Sequence, residues 1–195
     1  MDKVAVRWAT PGLTPERREL SLSLLSPAEL SRSADDTFLQ GRLMLRELVA
    51  ELDSVLPSSV QIEAQCQDCG GPHGQPQVLG SRVRVSVANC LAGIVVVATR
   101  DHAIGVDVEV IAGPTSRVEA IGAVTGIASL EHWTRVEAVL KADGRGLRVD
   151  PRSVEIRGQD ATIAGRGIRY RLHRLDLGAT LVGSVAVAEL PATPA

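Results

Sequence analysis

The hydrophobic period changes near residue 82, and that change limits the folds open to this chain. Before it, Phe38, Leu45, Val49, Leu52 and Leu56 recur at helical spacing, which predicts a helix over about Asp35 to Val55 with one buried stripe. After it the period is two. Val83, Val85 and Val87 alternate with Arg82, Arg84 and Ser86. The turn residues 89–93 follow, and Ile94 to Ala98 returns the chain as a hairpin. Asp101-His102 turns again, and Ile104 to Val110 reads as a third strand. Strands in runs, with helices set apart, predict an α+β protein. Regular β-α-β alternation is absent, which argues against a Rossmann sheet. No G-x-G-x-x-G or Walker pattern is present.

The remaining punctuation is weaker. Val4 to Trp8 predicts a short strand. Ser26-Pro27-Ala28-Glu29 has the form of a capping box with proline at the first helical position. Gly41 inside the long helix predicts close packing there, and Leu56-Pro57 ends that helix. Residues 64–81 read as a loop. Residues 116–131 read as weakly helical at best. Trp133 to Asp143 is a short helix closed by Gly144. Strands are expected near residues 153–156, 168–172 and 181–188, and residues 191–195 as a frayed tail.

Composition narrows the class. A net charge of −2 and a pI near 6.1 exclude the basic surface of a nucleic-acid or membrane-surface binder. No apolar run approaches the roughly 18 residues of a spanning helix. The opening residues Met1 to Arg7 carry no apolar export run, which predicts a cytoplasmic protein. Three cysteines do not suggest a disulfide framework. Aromatics are 2% of the chain, so the core must come from Leu, Val, Ile and Ala. The cations are nearly all arginine, and Lys3 and Lys141 are the only lysines.

Two segments carry candidate chemistry. In Gly105-Val106-Asp107-Val108-Glu109, alternation sends Ile104, Val106, Val108 and Val110 to the core and Gly105, Asp107 and Glu109 to the other face. Two carboxylates about 7 Å apart along a strand suit a hard cation such as Mg²⁺. The alternative is an amphipathic strand with a solvated polar face. In Trp133-Thr134-Arg135-Val136-Glu137-Ala138-Val139-Leu140-Lys141, residues Trp133, Val136 and Leu140 form an apolar stripe, with Glu137 and Lys141 one turn apart. That is either an ordinary surface pair or a third carboxylate and a cation facing phosphate.

Together, in order and spacing, the segments resemble the signature pair of the Sfp-type 4′-phosphopantetheinyl transferases, G-[IV]-D-[IV]-E followed by W-[TS]-x-K-E-A-x-x-K-x-x-G. Leu25-Ser26-Pro27 with Glu29, the helix residues 38–46, the loop His73-Gly74-Gln75-Pro76 and the segment 85–90 resemble further family motifs in order, so the likeness covers nearly the whole chain. It implies a pseudo-dimer of two similar α+β halves. These are residues 1–100 and residues 101–190, the latter carrying the metal carboxylates, with coenzyme A in the cleft between them. It implies a Mg²⁺-dependent enzyme that moves the phosphopantetheine arm of coenzyme A to a serine of an acyl or peptidyl carrier protein, releasing 3′,5′-ADP. Asp107, Glu109 and Glu137 would hold the metal. Glu137 would also be the base and Lys141 would assist the leaving group. Arg32, Asn89 and Lys141 would contact the cofactor phosphates. Such enzymes serve secondary metabolite biosynthesis.

The chain departs from the family at several cationic positions. Asn89 stands for histidine, Val136 and Gln75 for lysines, Glu29 for an early basic residue, and Thr37 for an arginine. The segment between Glu109 and Trp133 is short and lacks the phenylalanine-rich docking stretch. Each lost cation removes a charge-assisted bond of about 1.5–3 kcal/mol. An alternative is therefore a relative with weakened coenzyme A binding, acting as a non-transferase binding protein or a repurposed biosynthetic enzyme. Separately, Cys66-x-x-Cys69 with His73, and Cys90 as a candidate fourth ligand, matches zinc-ligand spacing. The competing reading is a glycine-rich loop with reduced thiols. His102, His132 and His173 have no partner evident in the sequence and read as surface or core filler.

Overall fold

In the computed structural model, which describes residues 4–32 and 35–189, the chain is α+β and divides into two compact units, Met1–Asp101 and His102–Ala195. The expected frayed tail, 191–195, lies outside the described residues. No helix is long and apolar enough to cross a membrane.

The first unit begins with β1 (Ala5–Ala9) and then α1 (Pro15–Leu24), a helix the hydrophobic pattern did not announce. Its signals are local instead. Thr14 caps it by accepting from the Arg17 amide, and Pro15 opens it. The short α2 (Pro27–Leu30) carries the expected reciprocal capping box between Ser26 and Glu29. The long helix α3 (Asp36–Asp53) starts on the Asp35 side chain and ends at Ser54, whose backbone is left-handed at φ 56°. That stop comes before Leu56, which therefore falls off the predicted stripe and is 72% exposed.

Two short strands, β2 (Ile62–Glu63) and β3 (Gln77–Val78), pair across the region read as pure loop. The hairpin of β4 (Val83–Cys90) and β5 (Gly93–Arg100) is tighter than expected, with only Leu91 and Ala92 between the strands. β5 lies centrally in an antiparallel sheet of order β1-β5-β4. Leu45, Leu48 and Val49 of α3 pack on Val83, Val85, Ile94, Val96 and Ala98.

The second unit holds β6 (Ile104–Val110), α4 (Thr115–Thr125), α5 (Leu130–Asp143), β7 (Val154–Arg157), β8 (Asp160–Ile163), β9 (Arg169–Arg174) and β10 (Leu181–Glu189). α4 replaces the weak helix expected over 116–131. Gly126, left-handed at φ 83°, ends α4, and Ser129 then caps α5, which starts three residues before the expected Trp133. β8 also escaped the sequence reading. Four residues joined to β7 by a tight turn leave too short a pattern to register. The sheet runs β6-β10-β9-β8-β7, all antiparallel, so β6 pairs with the last strand of the chain. Val136, Val139 and Leu140 of α5 pack with Tyr170, Leu172 and Ala186.

Candidate functional site

The polar face of β6 is not solvated. Helix α5 lies directly across it. A Cβ built on Gly105 would stand 2.0 Å from the Ala138 carbonyl oxygen and 2.4 Å from the Ala142 amide nitrogen, so the helix backbone fills the room that the missing side chain leaves. The helix meets the sheet through small residues one turn apart, Thr134, Ala138 and Ala142, all buried. Thr134 exchanges a buried 2.9 Å hydrogen bond with Ser184, and Ser184 is the register partner of Asp107 on the neighbouring strand. The spacing of these small residues was the signal in the sequence for this close approach. The aliphatic stripe, which drew the first reading, marks only the other part of the helix.

This packing brings three predicted site residues together. Lys141 Nζ donates to Asp107 Oδ1 at 2.7 Å and stands 4.0 Å from Glu137 Oε2. Asp107 is 8% exposed, and its Oδ2 is buried with no hydrogen-bond partner. Burial pushes the Asp107 carboxyl above its ordinary range, and Lys141 offsets only part of that. Burial also raises Glu137. Lys141 opposes the shift and the neighbouring Asp107 charge adds to it. The spot is therefore short of positive charge.

Glu109 lies on the same strand face but pairs with Arg117 of α4. The three carboxylates are not drawn to one point as expected from the sequence. Asp107 and Glu137 share the lysine, while Glu109 turns to an arginine. The buried, unpartnered Asp107 Oδ2 and the two raised carboxyls nevertheless fit a hard divalent cation, with Glu109 joining if it exchanges Arg117 for the metal.

The two remaining predicted site residues belong to the first unit. Arg32 lies with its guanidinium 4.6 Å from the Phe38 ring centroid, a cation–π contact. Asn89 is exposed near the end of β4. Glu29, the capping residue, is buried and pairs with both Arg42 and Arg46, an ion triad that sequence reasoning missed. Burial favours its protonated form. The hydrogen bonds from Arg46 and the Ser26 amide, with the two arginine charges, outweigh burial and hold it below the ordinary range. Burial brings Arg42 down to about 10. In the second unit, Val136 is completely buried, so this position belongs to the core. His102 Nδ1 lies 2.9 Å from the Ala188 carbonyl oxygen, burial lowers His132, and His173 Nε2 is buried without a hydrogen-bond partner.

No protein-family model matches the chain, and no curated protein matches it.

Proposed function

We propose that this protein is a divergent 4′-phosphopantetheinyl transferase, moving the phosphopantetheine arm of coenzyme A to a serine of an acyl or peptidyl carrier protein. The observation that carries this reading is the meeting of Asp107, Glu137 and Lys141, from two separate sequence segments, at one acidic, largely buried spot. A pseudo-dimer architecture is supported by each unit placing one long helix on antiparallel strands.

Asp107, Glu109 and Glu137 would hold Mg²⁺, which when bound offsets charge gathering on the phosphoryl oxygens. Glu137 accepts the proton of the carrier serine, and burial, which raises its affinity for protons, favours that role. The serine oxygen forms the new bond to phosphorus as the bond to the departing 3′,5′-ADP breaks. Lys141 holds its ammonium against the leaving group. Arg32 and Asn89 contact the phosphates of coenzyme A. The protein acts in the cytoplasm, in a biosynthetic pathway.

A second reading, a relative kept for binding or repurposed for another ligand, is favoured by the internal pairing of Glu109 with Arg117 and by the burial of Val136 where the family carries a lysine.

The deciding experiment incubates purified protein with an apo carrier protein, coenzyme A and Mg²⁺ and measures the carrier mass. The expected result is a gain of one phosphopantetheine, lost in Asp107→Ala. Asn89→His, which places an ionisable imidazole at a phosphate contact, should tighten coenzyme A binding in calorimetry by up to about tenfold, about 1.4 kcal/mol. No mass gain, with no coenzyme A binding at millimolar concentration, refutes the transferase reading in favour of the second.

A further inference from the structure

The loop between β2 and β3 has a second chemistry. Among the described residues, Cys66, Cys69 and His73 are the one trio of candidate metal ligands whose donor atoms all lie within 4.8 Å of one another. Cys69 Sγ and His73 Nε2 are 2.9 Å apart. A tetrahedral zinc with bonds of about 2.3 Å to sulfur and 2.0 Å to nitrogen sets its ligands about 3.5–3.8 Å apart, so small side-chain rotations close this trio on one ion.

The backbone is folded as if around such an ion. The Cys66 amide donates to the Gly71 carbonyl at 2.8 Å, and the Gly70 amide donates back to the Cys66 carbonyl at 2.9 Å. This closes a tight knuckle between the two cysteines. The amides of Asp68 and Cys69 point at the Cys66 sulfur, and the Gly71 amide lies 3.4 Å from the Cys69 sulfur. Amides aimed at sulfur favour thiolate, the form that binds metal. Gly74 then brings His73 back over the knuckle. Its amide donates to the Ala64 carbonyl at 2.6 Å, and a Cβ there would stand 2.2 Å from the Gln65 carbonyl oxygen, so only glycine permits this crossing.

Of residues 64–76 only Ala64 is buried, and the flanking strands are two residues each. Cys90, weighed above as a fourth ligand, does not join the group.

We infer that Cys66, Cys69 and His73 bind one zinc ion, with solvent in the fourth position, and that this ion fastens the loop between β2 and β3. Two thiolates and an imidazole select zinc over the hard cation suited to the carboxylate site. Binding releases the two thiol protons to solvent, so affinity rises with pH.

The test reads metal content and needs neither coenzyme A nor a carrier protein, so it fails or succeeds independently of the transferase reading. Full-length protein purified under reducing conditions from zinc-supplemented medium should carry about one zinc per chain. Cobalt put in its place should show thiolate-to-metal charge transfer. Cys66→Ser with Cys69→Ser should remove both signals. His73→Ala keeps both thiols and should weaken zinc at least about tenfold. Hydrogen exchange in 64–76 should speed up on chelation while β4 and β5 stay protected. A metal-free wild type that takes up neither zinc nor cobalt overturns the site, as does zinc retained by the double variant. A Cys66–Cys69 disulfide in protein isolated without reductant, with no zinc regained after reduction, overturns it equally.

Discussion

Both units lay a long helix across antiparallel strands, but the two interfaces are made of different parts of the chain. Under α3 the contact is side chain on side chain. A Cβ at Gly41 would meet the Val87 and Ile94 methyls at 3.6 and 3.8 Å, ordinary van der Waals distances. Under α5 the contact at Gly105 is backbone on backbone. The buried charges differ in the same way. The first unit encloses one carboxylate between two guanidinium groups, which hold it ionised. The second encloses two carboxylates around one ammonium, and both are pushed toward protonation. The first arrangement closes its charges on themselves and serves stability. The second leaves an unmet demand for positive charge, the property a binding site needs.

The largest expected effect comes from the first unit. Glu29→Gln leaves Arg42 and Arg46 buried without their counter-charge and should cost about 3–5 kcal/mol in urea unfolding at neutral pH. The folded pKa of Glu29 lies below its ordinary 4.5, so its contribution is present above 4.5 and is lost as pH falls through the lowered value. The gap between wild type and variant should close on that descent. An unchanged gap at low pH would break the contrast drawn here.

Gly105→Ala comes next, at about 2–3 kcal/mol, because helix α5 must move off the strand. The same variant should separate Lys141 from Asp107, read as faster exchange of the Lys141 amine protons. Wild-type stability would show that the close approach is incidental.

Asp107→Asn should do the reverse and raise stability slightly at pH 7, because it removes a charge whose burial Lys141 only partly offsets, while abolishing any carrier modification. Its folded pKa lies above the ordinary 3.8, so ionisation disfavours the folded state at neutral pH. Wild type regains that stability as pH falls through the raised value, and the advantage of the variant should fade with it. Thermal unfolding at a series of pH values tests the sign.

The smallest effect is Gly41→Ala. A helical glycine with open contacts should gain about 0.5–1 kcal/mol as alanine. A loss would mean that α3 packs as tightly as α5.

These glycines show how far the sequence could be read. Gly41 lies inside a helix and suggested tight packing, yet the tight packing is at Gly105 on a strand. Both are glycine among aliphatic residues, and only the tertiary partner separates them. The bounds of β6, the capping box of α2 and the glycine that closes α5 were legible because they are local: an alternation, a serine with a proline and a glutamate, a left-handed glycine; the Ser129 cap, which starts α5 three residues before Trp133, was not. The pairing of β6 with β10 joins residues more than seventy positions apart and left no local mark. Asp107, Glu137 and Lys141 were singled out from order and spacing. That Lys141 bonds to Asp107 rather than chiefly to Glu137, one turn away, depended on α5 crossing β6. Glu29 was hidden because a capping box already explained it.

Lys141 and Lys3 are the only lysines among twenty-one basic residues, and the consequence is one of mobility. An ammonium on a four-carbon stem is a compact charge that can swing on its flexible chain, whereas a guanidinium would lock a planar fork across the two carboxylates. With only two lysine amines in the chain, the Lys141 nitrogen should appear as one of two side-chain amine resonances, so its motion can be followed directly.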